Sequence, residues 1–148
     1  MPSVLTHRQE IVLAGLGANA SANYAPVQVQ KLFFLVDQKI SESIGGKQFA
    51  FEAYDYGPFD HNIYRELEAL NKLGLVSISP TGTGERRMYS LTPSGQDRAT
   101  EAMTKLPPVT QEYLIALAKW ICSLTFAQLV GSIYKEYPEM RRNSVFND

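Results

Sequence analysis

The chain has 148 residues, 45% of them apolar and 20% charged, a balance that belongs to a folded domain and excludes a disordered one. Fourteen basic against fifteen acidic residues leave a net charge of −1, which excludes a protein that meets nucleic acid through overall charge alone. The single cysteine, Cys122, excludes an internal disulfide and a multi-cysteine metal site.

The length predicts one domain over 1–148. The longest dense apolar stretch, Leu32 to Val36, is far shorter than the roughly eighteen residues a membrane helix needs. The N-terminus lacks the basic region and unbroken apolar core of a signal peptide. The expectation is a cytoplasmic protein with no membrane contact.

Thr6 and Gln9 have the spacing of a capping box and open a helix over roughly 7–17 with Ile11, Val12 and Leu16 on one side. Residues 18–25 are small and polar and predict a loop. From Pro26, the positions Val29, Leu32, Phe33, Val36, Ile40 and Ile44 recur at three and four residues, predicting a central helix over roughly 27–44 that Gly45-Gly46 stops. Phe49 to Tyr56 is aromatic and partly alternating, which predicts one short strand ended by Gly57-Pro58. Asp60 is then the cap of a helix over roughly 61–73, striped by Ile63, Leu67, Leu70 and Leu73 and stopped at Gly74.

Residues 75–91 predict a hairpin whose tip carries Gly82 and Gly84. Thr92-Pro93 opens a polar helix over roughly 93–104. Leu106-Pro107-Pro108-Val109 breaks the chain, Thr110 caps a further helix, Thr125 caps another, and Pro138 ends it. Residues 106–148 therefore read as a helical extension. The order of elements predicts an α+β winged helix, a helical core with a two-stranded wing, followed by two additional C-terminal helices.

Two groups of segments carry a family likeness. One is Val29-Gln30-Lys31-Leu32-Phe33-Phe34-Leu35 with Tyr54-Asp55-Tyr56-Gly57-Pro58-Phe59 and the leucine-striped helix ending in Leu73-Gly74-Leu75-Val76. The other is Tyr89-Ser90-Leu91-Thr92-Pro93-Ser94-Gly95 with Ile133 to Glu139 and Asn143-Ser144. Over roughly 26–144 the chain resembles the YwgA-like winged-helix proteins and the broader SocA/Panacea group of bacteria and phages. That resemblance implies an antitoxin- or adaptor-like protein that acts by binding another protein, such as a toxin or a regulatory complex. The YwgA-like members imply DNA binding instead.

For a protein partner, the aromatic residues Tyr54, Tyr56, Phe59 and Tyr64, with His61, surround the Gly57-Pro58 turn and supply the side chains that interfaces favour. For DNA, the contact residues are Asn62 and Arg65 on the helix before the hairpin, Arg86 and Arg87 on the wing, and Arg141 and Arg142 near the C-terminus. The outward residues expected on that helix are Asp60, His61, Asn62, Arg65, Glu66, Glu68 and Lys72, three acids against two bases. Acids repel phosphate, so this balance disfavours DNA. The stretch from Gly45 to Phe59 is also far longer than the 3–4 residues, roughly, of a standard helix-turn-helix turn.

Enzyme readings find little purchase. His7, His61 and Cys122 are scattered, with no metal-ligand spacing, so neither a metal nor a cofactor is expected. Asp55, Asp60 and His61 lie close in sequence as acid–base candidates, but Asp60 is more simply a helix cap and Cys122 a packing residue. The expected function is a non-catalytic regulatory binding module that works through protein contact. The alternatives are a winged-helix transcriptional regulator and a small-molecule sensor.

Overall fold

A computed structural model describes residues 4–19, 22–80 and 87–146. Helix α1 (His7–Gly17) starts at the capping box: the Thr6 hydroxyl accepts the Gln9 N–H at 3.1 Å, and the Gln9 side chain accepts the Thr6 N–H at 3.0 Å. Six consecutive residues, Ile11 to Leu16, are buried. Helix α2 (Pro26–Lys39) has its proline in the first turn, where the missing N–H costs nothing. It is buried without interruption from Val29 to Asp37, so neighbours cover it on every side.

Helix α2 stops five residues before the predicted end. Ile40 leaves helical geometry, and Ser41–Ile44 form a 3-10 turn closed by Gly45 at φ 90°. The tighter turn still buries Ile44, which is why apolar spacing alone did not separate the two kinds of helix. The predicted single strand over Phe49–Tyr56 is instead a small hairpin. Strand β1 (Glu52–Tyr54) pairs antiparallel with β2 (Gly57–Phe59), with Asp55 and Tyr56 as the turn. Gly57-Pro58 thus lies within a strand rather than ending one.

Helix α3 (Asn62–Lys72) buries Ile63, Leu67 and Leu70. Strands β3 (Val76–Pro80) and β4 (Arg87–Leu91) pair antiparallel as predicted for the second hairpin, whose tip, with Gly82 and Gly84, lies outside the described residues. Tyr24 adds a single bridge to it, exchanging two backbone hydrogen bonds of 2.8 and 2.9 Å with Tyr89. Helix α4 (Pro93–Thr104) opens as expected: the Thr92 hydroxyl accepts the Gly95 N–H at 2.9 Å and donates to the Gly74 carbonyl at 2.7 Å.

Helix α5 (Pro108–Ser123) corrects the reading of Thr110, which lies inside the first turn and is buried. Pro108 takes the first helical position, so the Pro-Pro step starts the helix instead of breaking the chain. Helix α6 (Phe126–Glu136) has the expected Thr125 cap, completed as a capping box by Gln128. A 3-10 turn, Pro138–Arg141, follows. Helix α5 packs on α1 and α2, and α6 packs on α2 and β2. Leu114, Leu117, Ile121, Leu129 and Ile133 share one apolar cluster with Ile11, Leu32 and Leu67.

The result is a mixed α+β arrangement: a helical core, two small antiparallel hairpins and added C-terminal helices, winged-helix-like in general terms. Among the described residues no helix is long and apolar enough to cross a membrane.

The start of α4 lies directly on the backbone between α3 and β3. A Cβ on Gly95 would sit 1.8 Å from the Leu75 carbonyl oxygen, which also accepts the Thr92 N–H at 3.1 Å. Gly95→Ala is therefore expected to destabilise the fold by about 3 kcal/mol. Urea unfolding should show a lower midpoint at unchanged slope.

Candidate binding site

Three polar side chains lie on the buried faces of α2: Gln30, Lys31 and Asp37. Gln30 makes a reciprocal pair with the backbone of Asp60. Its Nε2 donates to the Asp60 carbonyl at 3.0 Å, and its Oε1 accepts the Asp60 N–H at 2.9 Å. The Asp37 carboxylate accepts the N–H groups of Gln48 and Phe49, both at 2.9 Å. The Asp60 carboxylate accepts the N–H groups of Ala50 at 2.8 Å and Asn62 at 2.9 Å. Three consecutive amides, 48 to 50, are thus held by two buried carboxylates in a segment with no regular structure. Burial raises the Asp37 carboxyl above its ordinary value, against the opposing pull of its two N–H donors.

These bonds fix the β1–β2 hairpin against α2. Lys31 reaches under it, with Nζ donating to the Pro58 carbonyl at 3.2 Å. Gly57 makes room for this. A Cβ there would meet Tyr134 at 3.3 Å and the Lys31 Cε at 3.6 Å, and its φ is 104°. From the other side the C-terminal segment closes on the hairpin. The Val145 N–H donates to the Asp55 carbonyl at 2.9 Å, and Asn143 Nδ2 donates to the Ala53 carbonyl at 3.1 Å. The Tyr134 hydroxyl donates to Ser144 at 2.6 Å. Asn143 and Ser144 are therefore structural fasteners of the hairpin.

Between the hairpin, α2 and α6 lies a cavity of about 270 Å³. Pro26, Tyr54, Tyr56, Phe59, Tyr64 and Phe126 form its walls, and Lys31, Gln30 and Asp55 also line it. Tyr54 is 53% exposed and Tyr56 43%. Ring contacts link the walls: Tyr54–Phe59 at 4.9 Å, Phe59–Tyr64 at 5.8 Å and Tyr56–Phe126 at 5.1 Å between centroids. Four of the five predicted partner residues, Tyr54, Tyr56, Phe59 and Tyr64, thus meet at one cavity. His61 does not line it. It is exposed, 6.2 Å from Tyr64, on a shallower neighbouring depression with Glu68, Arg87 and Tyr89. Burial pushes the Tyr64 phenol up to about 12.

Sequence reasoning did not single out Lys31 and Phe126 as site residues. Lys31 carried a usable signal, a lone cation between Val29 and Leu32–Val36 on a helix read as central. Phe126 follows the Thr125 cap, and nothing in its neighbours marks it as facing the hairpin.

The residues expected to contact DNA are dispersed. Arg65 is exposed on α3, and the Asn62 N–H is held by Asp60. Arg87 pairs with Glu68 at 3.6 Å, both exposed. Arg86 lies outside the described residues. Arg141 stacks over the Tyr134 ring at 5.0 Å, and with the exposed Arg142 it belongs to the segment beside the first hairpin. The charge balance of α3 needs correcting. Asp60 is buried against two amides, and Glu66 forms an ion pair with Arg8 of α1. Of the seven residues expected to face outward, His61, Arg65, Glu68 and Lys72 are exposed.

The acid–base cluster of Asp55, Asp60 and His61 does not assemble: Asp60 is occupied by amides and His61 is exposed beside Tyr64. Cys122 is half-buried against the core and faces the Tyr24 phenol, whose pKa burial and this thiol raise. Comparison of the chain with models of known protein families and with curated proteins finds no match.

Burial lowers the Lys31 ammonium from 10.5 to about 7. Between those values the unfolded chain binds more protons than the folded one, so stability rises with pH; below about 7 both states are protonated and the cost of the buried charge is complete. The titratable groups sharing the cavity are Asp55, Tyr54, Tyr56 and Tyr64. The melting temperature is expected to climb between about pH 7 and pH 10, and this climb should flatten in Lys31→Met. An equal slope in the variant would contradict the assignment. Gly57→Ala, forced to hold a positive φ, should lose more than about 1 kcal/mol in the same assay.

Proposed function

We propose that this chain is a non-catalytic regulatory binding module, built as a winged helix, that docks a protein partner on the aromatic rim formed by Tyr54, Tyr56 and Phe126. The observation that carries this reading is the exposure of two tyrosines on a hairpin held rigidly from both sides. Large aromatic side chains held in place lose little entropy on binding and are common anchors of interfaces. The likeness of Gln30-Lys31-Leu32 and Tyr56-Gly57-Pro58 to the SocA/Panacea group supports an antitoxin- or adaptor-like role in the cytoplasm, with a toxin or regulatory complex as partner.

Affinity capture with the wild type and with a Tyr54→Ala/Tyr56→Ala variant tests the docking surface. The folded variant should lose at least about tenfold of the captured partner. A variant that captures as well as the wild type would refute the assignment.

A second reading, a winged-helix DNA-binding regulator, gains from one observation. With Asp60 and Glu66 turned inward, the exposed face of α3 presents His61, Arg65 and Lys72 against Glu68, beside Arg87 of the second hairpin. Duplex binding at about 50 mM salt that falls steeply as salt rises, and disappears in Arg65→Ala/Arg87→Ala, supports it. No binding at that salt concentration rules it out.

A further inference from the structure

We propose that the cavity over Lys31 is a binding site for an apolar group bearing one carboxylate, with the carboxylate ion-paired to the Lys31 Nζ and the apolar body held between the aromatic walls. An ammonium carries three N–H donors. Lys31 is 3% exposed, and among the described residues its Nζ has one acceptor, the Pro58 carbonyl. No carboxylate of the described residues forms an ion pair with it. The two buried carboxylates nearby in the fold are already occupied, Asp37 by Gln48 and Phe49, Asp60 by Ala50 and Asn62. A buried cation with donors to spare is stabilised when a partner supplies the matching charge and acceptors.

The walls define the rest of the ligand. Pro26, Tyr54, Tyr56, Phe59 and Phe126 offer flat apolar faces suited to a planar group. One cation lines the cavity, and Asp55 lines it too. A phosphate monoester, with its charge of about −1.5 to −2, would exceed the single pairing charge and be repelled by Asp55 more strongly than a carboxylate is. A single carboxylate matches the single cation. The volume of about 270 Å³ suits a small acid or one terminal residue of a chain. The shared chemistry has two sources: a free aromatic acid, or the carboxylate end of a bound polypeptide. The second source rests on the protein-docking reading above; the first does not.

Isothermal titration of the full chain at about pH 6, where Lys31 is protonated and the carboxylates are ionised, tests this with four probes: phenylacetate, phenylacetamide, and an acetylated Gly-Gly-Gly-Phe peptide ending as the free acid or as the amide. At least one carboxylate probe should bind saturably, and its amide should bind at least about tenfold more weakly, the effect of losing a charge-assisted hydrogen bond. Lys31→Met should abolish this preference, and Tyr54→Ala should weaken the carboxylate probe. Phenylacetate alone binding assigns the site to a free acid; tighter binding of the peptide acid assigns it to a polypeptide terminus. Absence of saturable binding by both carboxylates up to about 10 mM, or equal binding of acid and amide, overturns the proposal. Should Lys31→Met fail to fold, the acid-to-amide ratio on the wild type still decides. If that ratio is one while partner capture still depends on Tyr54 and Tyr56, this inference falls and the docking surface stands. A high ratio with capture unaffected by those tyrosines gives the reverse.

Discussion

The grip of two buried carboxylates on three consecutive backbone amides is the constraint from which the site follows. Residues 48 to 50 run between the central helix and the first hairpin without regular structure. Their N–H groups would go unpaired near the core if Asp37 and Asp60 did not accept them. Burying two carboxylates is costly by itself, and the charge-assisted bonds to the amides offset that cost. Gln30 completes the device, because its amide pairs with both backbone groups of Asp60 and so ties the residue to α2. The path of the chain from Gln48 to Asn62 is thereby set by side chains of one helix and one capping residue.

The geometry of the site depends on that path. With the hairpin held against α2, Pro58 presents its carbonyl to Lys31, and Gly57 passes over the lysine stem at a φ open to glycine. The turn residues Asp55 and Tyr56 then project beside α6, where Phe126 closes the cavity wall. The C-terminal segment fastens the far side through Asn143, Ser144 and Val145. A rigid support under exposed aromatic groups is what a binding surface needs, since fewer side chains must be ordered on association.

Much of the fold was legible in the residues themselves. Thr6, Thr92 and Thr125 cap helices as their neighbours predict, because capping is a local property of three or four residues. Strands β3 and β4 were readable from alternation between two turns. Four aromatic residues of the cavity were readable too, since they crowd one short stretch. What was not legible is long-range. Glu66 looked outward on its own helix, yet its partner, Arg8, lies on α1. Asp60 read as a helix cap and does hold the Asn62 amide, but its second amide, Ala50, and its tie to Gln30 come from tertiary packing. With those two acids turned inward, the exposed charges of α3 go from three acids against two bases to one acid, Glu68, against two bases, Arg65 and Lys72. Lys31 could be seen as anomalous in an apolar run, while the cavity it lines exists through the hairpin and α6 together.

The central claim is that Asp37 and Asp60 hold the amides of Gln48, Phe49 and Ala50, and amide hydrogen exchange tests it directly. These three amides lie outside any helix or strand, beside the exposed Lys47. The account predicts that all three exchange at least about tenfold more slowly than the Lys47 amide, and that Asp37→Ala releases Gln48 and Phe49 while Ala50 stays protected. Exchange of all three at the Lys47 rate in the wild type would contradict it.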